Sequence, residues 1–230
     1  NASPSNTNSI CYCVAYNGNI WVAGGFNNSS APTITLAYSF DGIIWTSVIN
    51  STTIFSTVVR SVAWSPDLNI WVAVGAGTST SAYSYDGINW VGSTSPAFGT
   101  SGYSVSWGKN IFVAAGGATN KLYYSSDGKT WTICTTSALT NITSVSAVGF
   151  NGTIWVGVGG GSAATNLCYS YDGITWNLSV GTIFASNTIG GAVCWSPALT
   201  RWVACGVGTT NSIYYSTDGI NWTACTGSPP

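Results

Sequence analysis

The feature that most constrains this chain is a short stretch, Tyr-Ser-x-Asp-Gly-x-x-Trp, that recurs five times. The copies occupy 38–45, 83–90, 124–131, 169–176 and 215–222, and their Asp-Gly pairs advance by 45, 41, 45 and 46 residues. A period of this length means one supersecondary unit repeated, since a single such unit cannot bury its own apolar face and must stack on its neighbours. Repeats at about 9–50, 51–95, 96–138, 139–182 and 183–230 leave little of the chain unaccounted for, so 1–230 is expected to form one domain.

Each repeat divides into four short segments rich in Val, Ile, Tyr, Trp and Ala and separated by turn residues. In the second they are 61–64, 70–75, 82–85 and 89–92. No segment keeps a helical period for the ten or so residues a helix needs. Four strands per period is the pattern of a propeller blade. The expected fold is all-β, a closed five-bladed β-propeller with four antiparallel strands per blade; an open array or a portion of a longer propeller is the alternative. The chain starts at Asn1 and holds no Met, which fits a processed product or part of a longer polypeptide.

The links carry their own signals. Between the first two strands, Asn17-Gly18 and Asn151-Gly152 are the dipeptide favoured where both central residues need positive φ. Ser65-Pro66 and Ser196-Pro197 preset a turn through proline, and Gly108-Lys109-Asn110 is a shortened version. The link between repeats holds one large apolar residue each time, Phe55, Phe98, Leu139 and Phe184, suited to plugging the space between blades.

The third link is the repeated motif itself. Its carboxylate (Asp41, Asp86, Asp127, Asp172, Asp218) is placed to accept backbone N–H bonds within a tight turn, and the glycine that follows (Gly42, Gly87, Gly128, Gly173, Gly219) supplies positive φ. A serine two residues before each Asp can add a local bond, and the Trp packs the turn onto the sheet. With Ser-x-Asp-Gly-x-x-Trp in all five repeats, the chain resembles the Asp-box, or BNR repeat, proteins of the sialidase-type β-propeller class. It departs from that pattern in having Asp and Gly adjacent. The resemblance implies a propeller fold and a non-catalytic member, because the sialidase arginine triad and Tyr–Glu nucleophile pair have no counterpart among two Arg and no Glu.

Composition narrows the function. Only 5% of residues are charged, against about 25% in an average soluble protein, while 45% are hydrophobic, so the surface is covered by Ser, Thr, Asn and Gly. Five cations, Arg60, Arg201, Lys109, Lys121 and Lys129, make no basic patch, which argues against nucleic acid as a partner. No apolar run is long enough for a membrane span. There is no His or Glu, and of six carboxylates five belong to the repeated turns, leaving Asp67. General acid–base chemistry and glycoside hydrolysis lack their groups, so no enzyme, catalytic residue or cofactor is expected. A Ca²⁺ site needs six or more oxygens at one point, and a zinc site lacks His beside the Cys11–Cys13 pair, so no metal is expected either.

All twelve Trp fall on repeat columns, which reads as packing and not as a sugar-stacking surface. Seven Cys suit an oxidising compartment, and a disulfide from Cys11 or Cys13 to Cys225 would tie the first blade to the last. Eight Asn-x-Ser/Thr triplets, among them Asn28, Asn50 and Asn141, are candidate glycosylation sites. These features suggest an extracellular or virion/cell-surface glycoprotein with a structural or adhesive role, including a filament or coat component. Its partners would be copies of itself, other surface proteins or glycans. The alternative is a lectin-like carbohydrate-binding propeller using the second-link loops, with Asn27, Asn28, Thr78, Thr80, Asn120, Asn166, Thr209, Thr210 and Asn211 as candidate ligand residues.

Overall fold

The computed structural model describes residues 9–27, 34–93, 98–117, 121–140, 142–161, 166–181, 184, 190–207 and 211–227. Within them the repeat becomes five four-stranded antiparallel sheets, each ordered as in the sequence. The first sheet holds β1 (Ser9–Tyr16), β2 (Trp21–Asn27), β3 (Leu36–Ser39) and β4 (Thr46–Ser47); a single helical turn, α1 (Ser51–Ile54), follows it. The second holds β5 (Val58–Ser65), β6 (Ile70–Ala76), β7 (Ser81–Ser84) and β8 (Val91–Gly92). The third holds β9 (Gly102–Gly108), β10 (Ile111–Gly116), β11 (Leu122–Ser125) and β12 (Thr132–Ile133). The fourth holds β13 (Ile142–Phe150), β14 (Trp155–Gly161), β15 (Leu167–Ser170) and β16 (Asn177–Leu178), and the fifth β17 (Gly190–Ser196), β18 (Arg201–Gly206), β19 (Ile213–Ser216) and β20 (Thr223–Ala224).

Second strands are near-continuous apolar runs because in the middle of the row both of their faces are covered; every residue of β14 is buried. Glycines in these strands let the first strand come close. A Cβ at Gly25, Gly75 or Gly159 would collide with the carbonyl of Ile10, Val58 or Ser144. At the same level the first strand carries a β-bulge, where the pairing register skips Tyr12, Arg60, Tyr103, Ser146 and Gly191; Ser146 still reaches the second strand through its hydroxyl, which donates to Val158 O at 3.0 Å.

The hydrophobic core lies between sheets, in four clusters that each join consecutive repeats. Phe55, Phe98, Leu139 and Phe184 are each part of one and are fully buried. Phe98 meets Tyr123 and Trp131 edge-on at 4.7 and 5.2 Å, and Phe184 meets Tyr214 at 4.9 Å. Among the described residues no cluster joins the fifth sheet to the first, and the row of sheets is not closed. The expected closed ring is thereby corrected, and the structure gives no support to the expected seam disulfide. β1 and β20 lie at opposite ends of the row, and all seven cysteines, Cys11, Cys13 and Cys225 included, are free thiols.

The hairpins also differ in detail from expectation. In the Asn-Gly turns only the glycines have positive φ, +101° at Gly18 and +97° at Gly152. The asparagine acts through its side chain: Asn17 Oδ1 accepts from Asn19 and Ile20 N–H, and Asn151 Oδ1 from Thr153 and Ile154 N–H. Two successive positive φ values occur instead at Lys109 (49°) and Asn110 (61°), the two residues between paired Gly108 and Ile111.

Candidate functional site

Two kinds of place merit chemical attention: the five repeated turns, and the bulged inner strands where side chains of different sheets meet.

The second turn represents all five. Ser84 Oγ donates to Asp86 Oδ1 at 2.9 Å, and the same oxygen accepts Ile88 and Asn89 N–H at 2.8 and 2.7 Å. Gly87 N–H donates back to Ser84 Oγ at 2.9 Å, and Trp90 Nε1 donates to Gly87 O at 3.0 Å. Asp41, Asp127, Asp172 and Asp218 each repeat the carboxylate bonds with their own Ser and the two following N–H groups. The turn glycines sit at φ between +73° and +77°, and from the second repeat on a Cβ there would press on the preceding sheet.

Electrostatics follows from the bonding. Partial burial pushes the Asp86 and Asp218 carboxyls up, but the donors of Asn89 and Asn221 outweigh it and hold both at about 2. Asp127 and Asp172 are likewise depressed against their burial by N–H donors of their own turns, and Asp41 is depressed chiefly by the Ile44 and Ile43 N–H groups. These are anions fixed as turn acceptors, each surrounded by its own donors. The remaining carboxylate, Asp67, accepts from Trp107 Nε1 at 3.1 Å.

Of the nine candidate ligand residues, Asn28, Asn120, Thr209 and Thr210 lie outside the described residues, as does the triplet at Asn141. Two of those that are described, Asn166 and Thr80, are engaged structurally. Asn166 is buried and its Nδ2 donates to Phe184 O at 2.9 Å, and Thr80 Oγ1, also buried, accepts Phe98 N–H at 3.0 Å. Asn211 is half-buried and Thr78 exposed. Asn50 Nδ2 donates to Trp90 O at 3.0 Å, which ties this triplet's side chain to the next sheet. Burial pushes the Cys13 and Cys134 thiols up to about 12 and the Cys168 thiol higher still, so these three are poor nucleophiles and metal ligands. Among the described residues no cluster of His, Cys, Asp or Glu could hold a metal, and no helix is long and apolar enough to cross a membrane.

Sequence reasoning missed the arrangement around Arg60. The bulges of β1, β5 and β9 bring its guanidinium between two phenol rings, 5.7 Å from the Tyr12 centroid and 5.3 Å from that of Tyr103. Its Nε is buried without a hydrogen-bond partner among the described residues, and all six carboxylates of the chain are engaged elsewhere. A guanidinium between two rings, with every carboxylate side chain engaged elsewhere, suits a planar oxyanion such as a carboxylate. The sequence signal was one charged residue, Arg60, on a strand otherwise of Val, Ala, Ser and Trp.

No protein-family model matches the sequence, and comparison with curated proteins finds no match. Solved structures do match in shape. The GH74 enzyme of Niastella koreensis superposes on 94% of this chain with a TM-score of 0.61 at 17% identity, over 30% of its own length. YCF48 bound to a D1 peptide gives 0.63 over 96% of this chain and 68% of its own, at 13% identity. YCF48 from Cyanidioschyzon merolae gives 0.62 over 94% and 71%, at 14% identity. The likeness is that of the β-propeller fold, in an enzyme and in a peptide-binding protein alike; this chain spans under a third of the GH74 enzyme.

Proposed function

We propose that this chain is a non-enzymatic structural and adhesive module: a five-bladed propeller array with turns of the Asp-box kind, at the extracellular, cell or virion surface, working through contacts between protein faces. The observation that carries this reading is the use of the carboxylates. Five of the six are spent on turn bonds and the sixth on Trp107, in a chain without His or Glu. None of these carboxylates is left poised to move a proton, whereas four-stranded sheets and small polar loops suit packing against other surface proteins or further copies.

A lectin-like reading comes second, favoured by Arg60 between Tyr12 and Tyr103. An aromatic-flanked cation is the chemistry that would hold the carboxylate of an acidic sugar. A glycan array of the purified chain separates the two. The structural reading expects no saturable, sugar-competed binding; binding of acidic glycans that Arg60→Ala abolishes would replace it with the lectin reading. Turnover of a glycoside in the same preparation would overturn both.

A further inference from the structure

We propose that the two ends of the row of sheets are halves of one interface and join head to tail between copies of this chain. The proposal rests on the structural reading above and specifies how self-association occurs.

The chain already makes this interface four times. The trailing half is an Ile-x-Val of the second strand, and the leading half is the turn glycine of the next sheet. A Cβ at Gly87, Gly128, Gly173 or Gly219 would lie 2.8–3.0 Å from Cγ2 of Val22, Val72, Val113 or Val156. Polar contacts fix the register. Cys134 Sγ and Ser179 Oγ, at the ends of the third and fourth sheets, each donate at 3.4 Å to the next turn's glycine carbonyl, Gly173 or Gly219. The following residues, Thr135 and Val180, donate their N–H groups to Ile174 O and Ile220 O at 2.8 Å.

The first sheet presents a leading half that no described residue covers. Gly42 is exposed where the other four turn glycines are buried, and Val14 is 55% exposed where Val62 is 8%. Ile43 is 83% exposed, whereas Ile88, Ile174 and Ile220 at its position are half-buried. Ile44, 72% exposed, is apolar where the other repeats have Asn89, Thr130, Thr175 and Asn221. The one turn with no preceding sheet among the described residues is thus the most apolar.

The fifth sheet presents a trailing half. Val203 is half-buried where its four counterparts are fully buried, and exposed Arg201 replaces Ile20, Ile70, Ile111 and Ile154 of the same column. Cys225 stands in the row of Cys134 and Ser179, with no turn of the described residues against it. Placed in the internal register, the fifth sheet of one copy covers the turn of another: Val203 lies on Gly42, the Cys225 thiol reaches the Gly42 carbonyl, and Thr226 pairs along Ile43. Arg201 then falls beside the exposed Asp41, a complementary charge that the four internal interfaces do not use. Among the described residues the fifth sheet does not reach the first, and a second copy carries both halves in the register that the chain already uses four times. Because the contact is heterologous, it continues until a ring closes or a filament forms.

Sedimentation velocity of the full chain over a wide concentration range tests this, with Ile44→Glu blocking the leading end and Arg201→Glu the trailing end; both side chains are exposed, and thermal melts confirm that the variants fold. The wild type is expected to grow with concentration, each variant alone to stay monomeric, and their equimolar mixture to give dimers and nothing larger. A monomeric wild type overturns the proposal, as does association of either variant alone or a mixture that stays monomeric. The double variant on the glycan array keeps the two claims apart: glycan binding there defeats the structural reading and leaves the head-to-tail contact standing.

Discussion

Each turn aspartate accepts two backbone N–H bonds and a hydroxyl, and the absence of any one carboxylate would strand those donors. Asp86→Ala is expected to lower the free energy of unfolding by about 1–3 kcal/mol, the cost of leaving such donors unmet, measured by urea titration. The folded values of about 2 for Asp86 and Asp218 lie below their ordinary 3.8, so this stabilisation is complete above roughly pH 4 and is lost as pH falls toward about 2. The melting temperature should accordingly be flat near neutrality and fall in that acid window; a fall beginning above pH 6 would contradict the assignment. Thiol labelling gives an independent reading at the same scale: exposed Cys11 and Cys194 should react first, and buried Cys134 and Cys168 only on unfolding. The turn chemistry was legible because every atom it uses lies within a few residues of the Asp. The Arg60 site was not, since Tyr12, Arg60 and Tyr103 come from three repeats and meet only through the bulges of three strands.

Among elements, the turn and the second strand act as a unit, with the glycine giving both the positive φ and the space. At Gly18 a Cβ would meet nothing within 4 Å, so Gly18→Ala should lose only the backbone cost of about 1–2 kcal/mol. At Gly173 the same change also drives a Cβ to 2.8 Å from Ile111 and 3.0 Å from Trp155 and Val113, and the loss should be distinctly larger. The fourth-strand Trp column makes a parallel comparison: Trp176→Ala, at a 1% exposed site, should cost about 3–5 kcal/mol, and Trp45→Ala, half-buried, clearly less. Strand identity was legible in the apolar runs and turn residues. The conformation inside the Asn-Gly turns was not, because the dipeptide fits two geometries and the side-chain oxygen of Asn17 or Asn151 selects the one with a single positive φ.

At the scale of the molecule, stability is a chain of nearest-neighbour interfaces, and the middle of the row is covered on both sides while its ends are covered on one. Amide hydrogen exchange should be slowest in β10 and β14 and fastest in β2 and β18 at equivalent positions. The repeat made the five sheets legible, but closure depends on the angle at which sheets stack, which no single repeat encodes. Two signals of open ends were present in the residues: Arg201 in a column of Ile, and Ile44 in a column of Asn and Thr. They point in the direction of the exposed faces, and their meaning needed the stacking order. The open row is tested most directly by mild oxidation of the dilute chain, followed by mass spectrometry of the monomer fraction under non-reducing conditions. An open row predicts no bond from Cys225 to Cys11 or Cys13 within a monomer; a monomer carrying that bond would show that the fifth sheet reaches the first and would contradict the account.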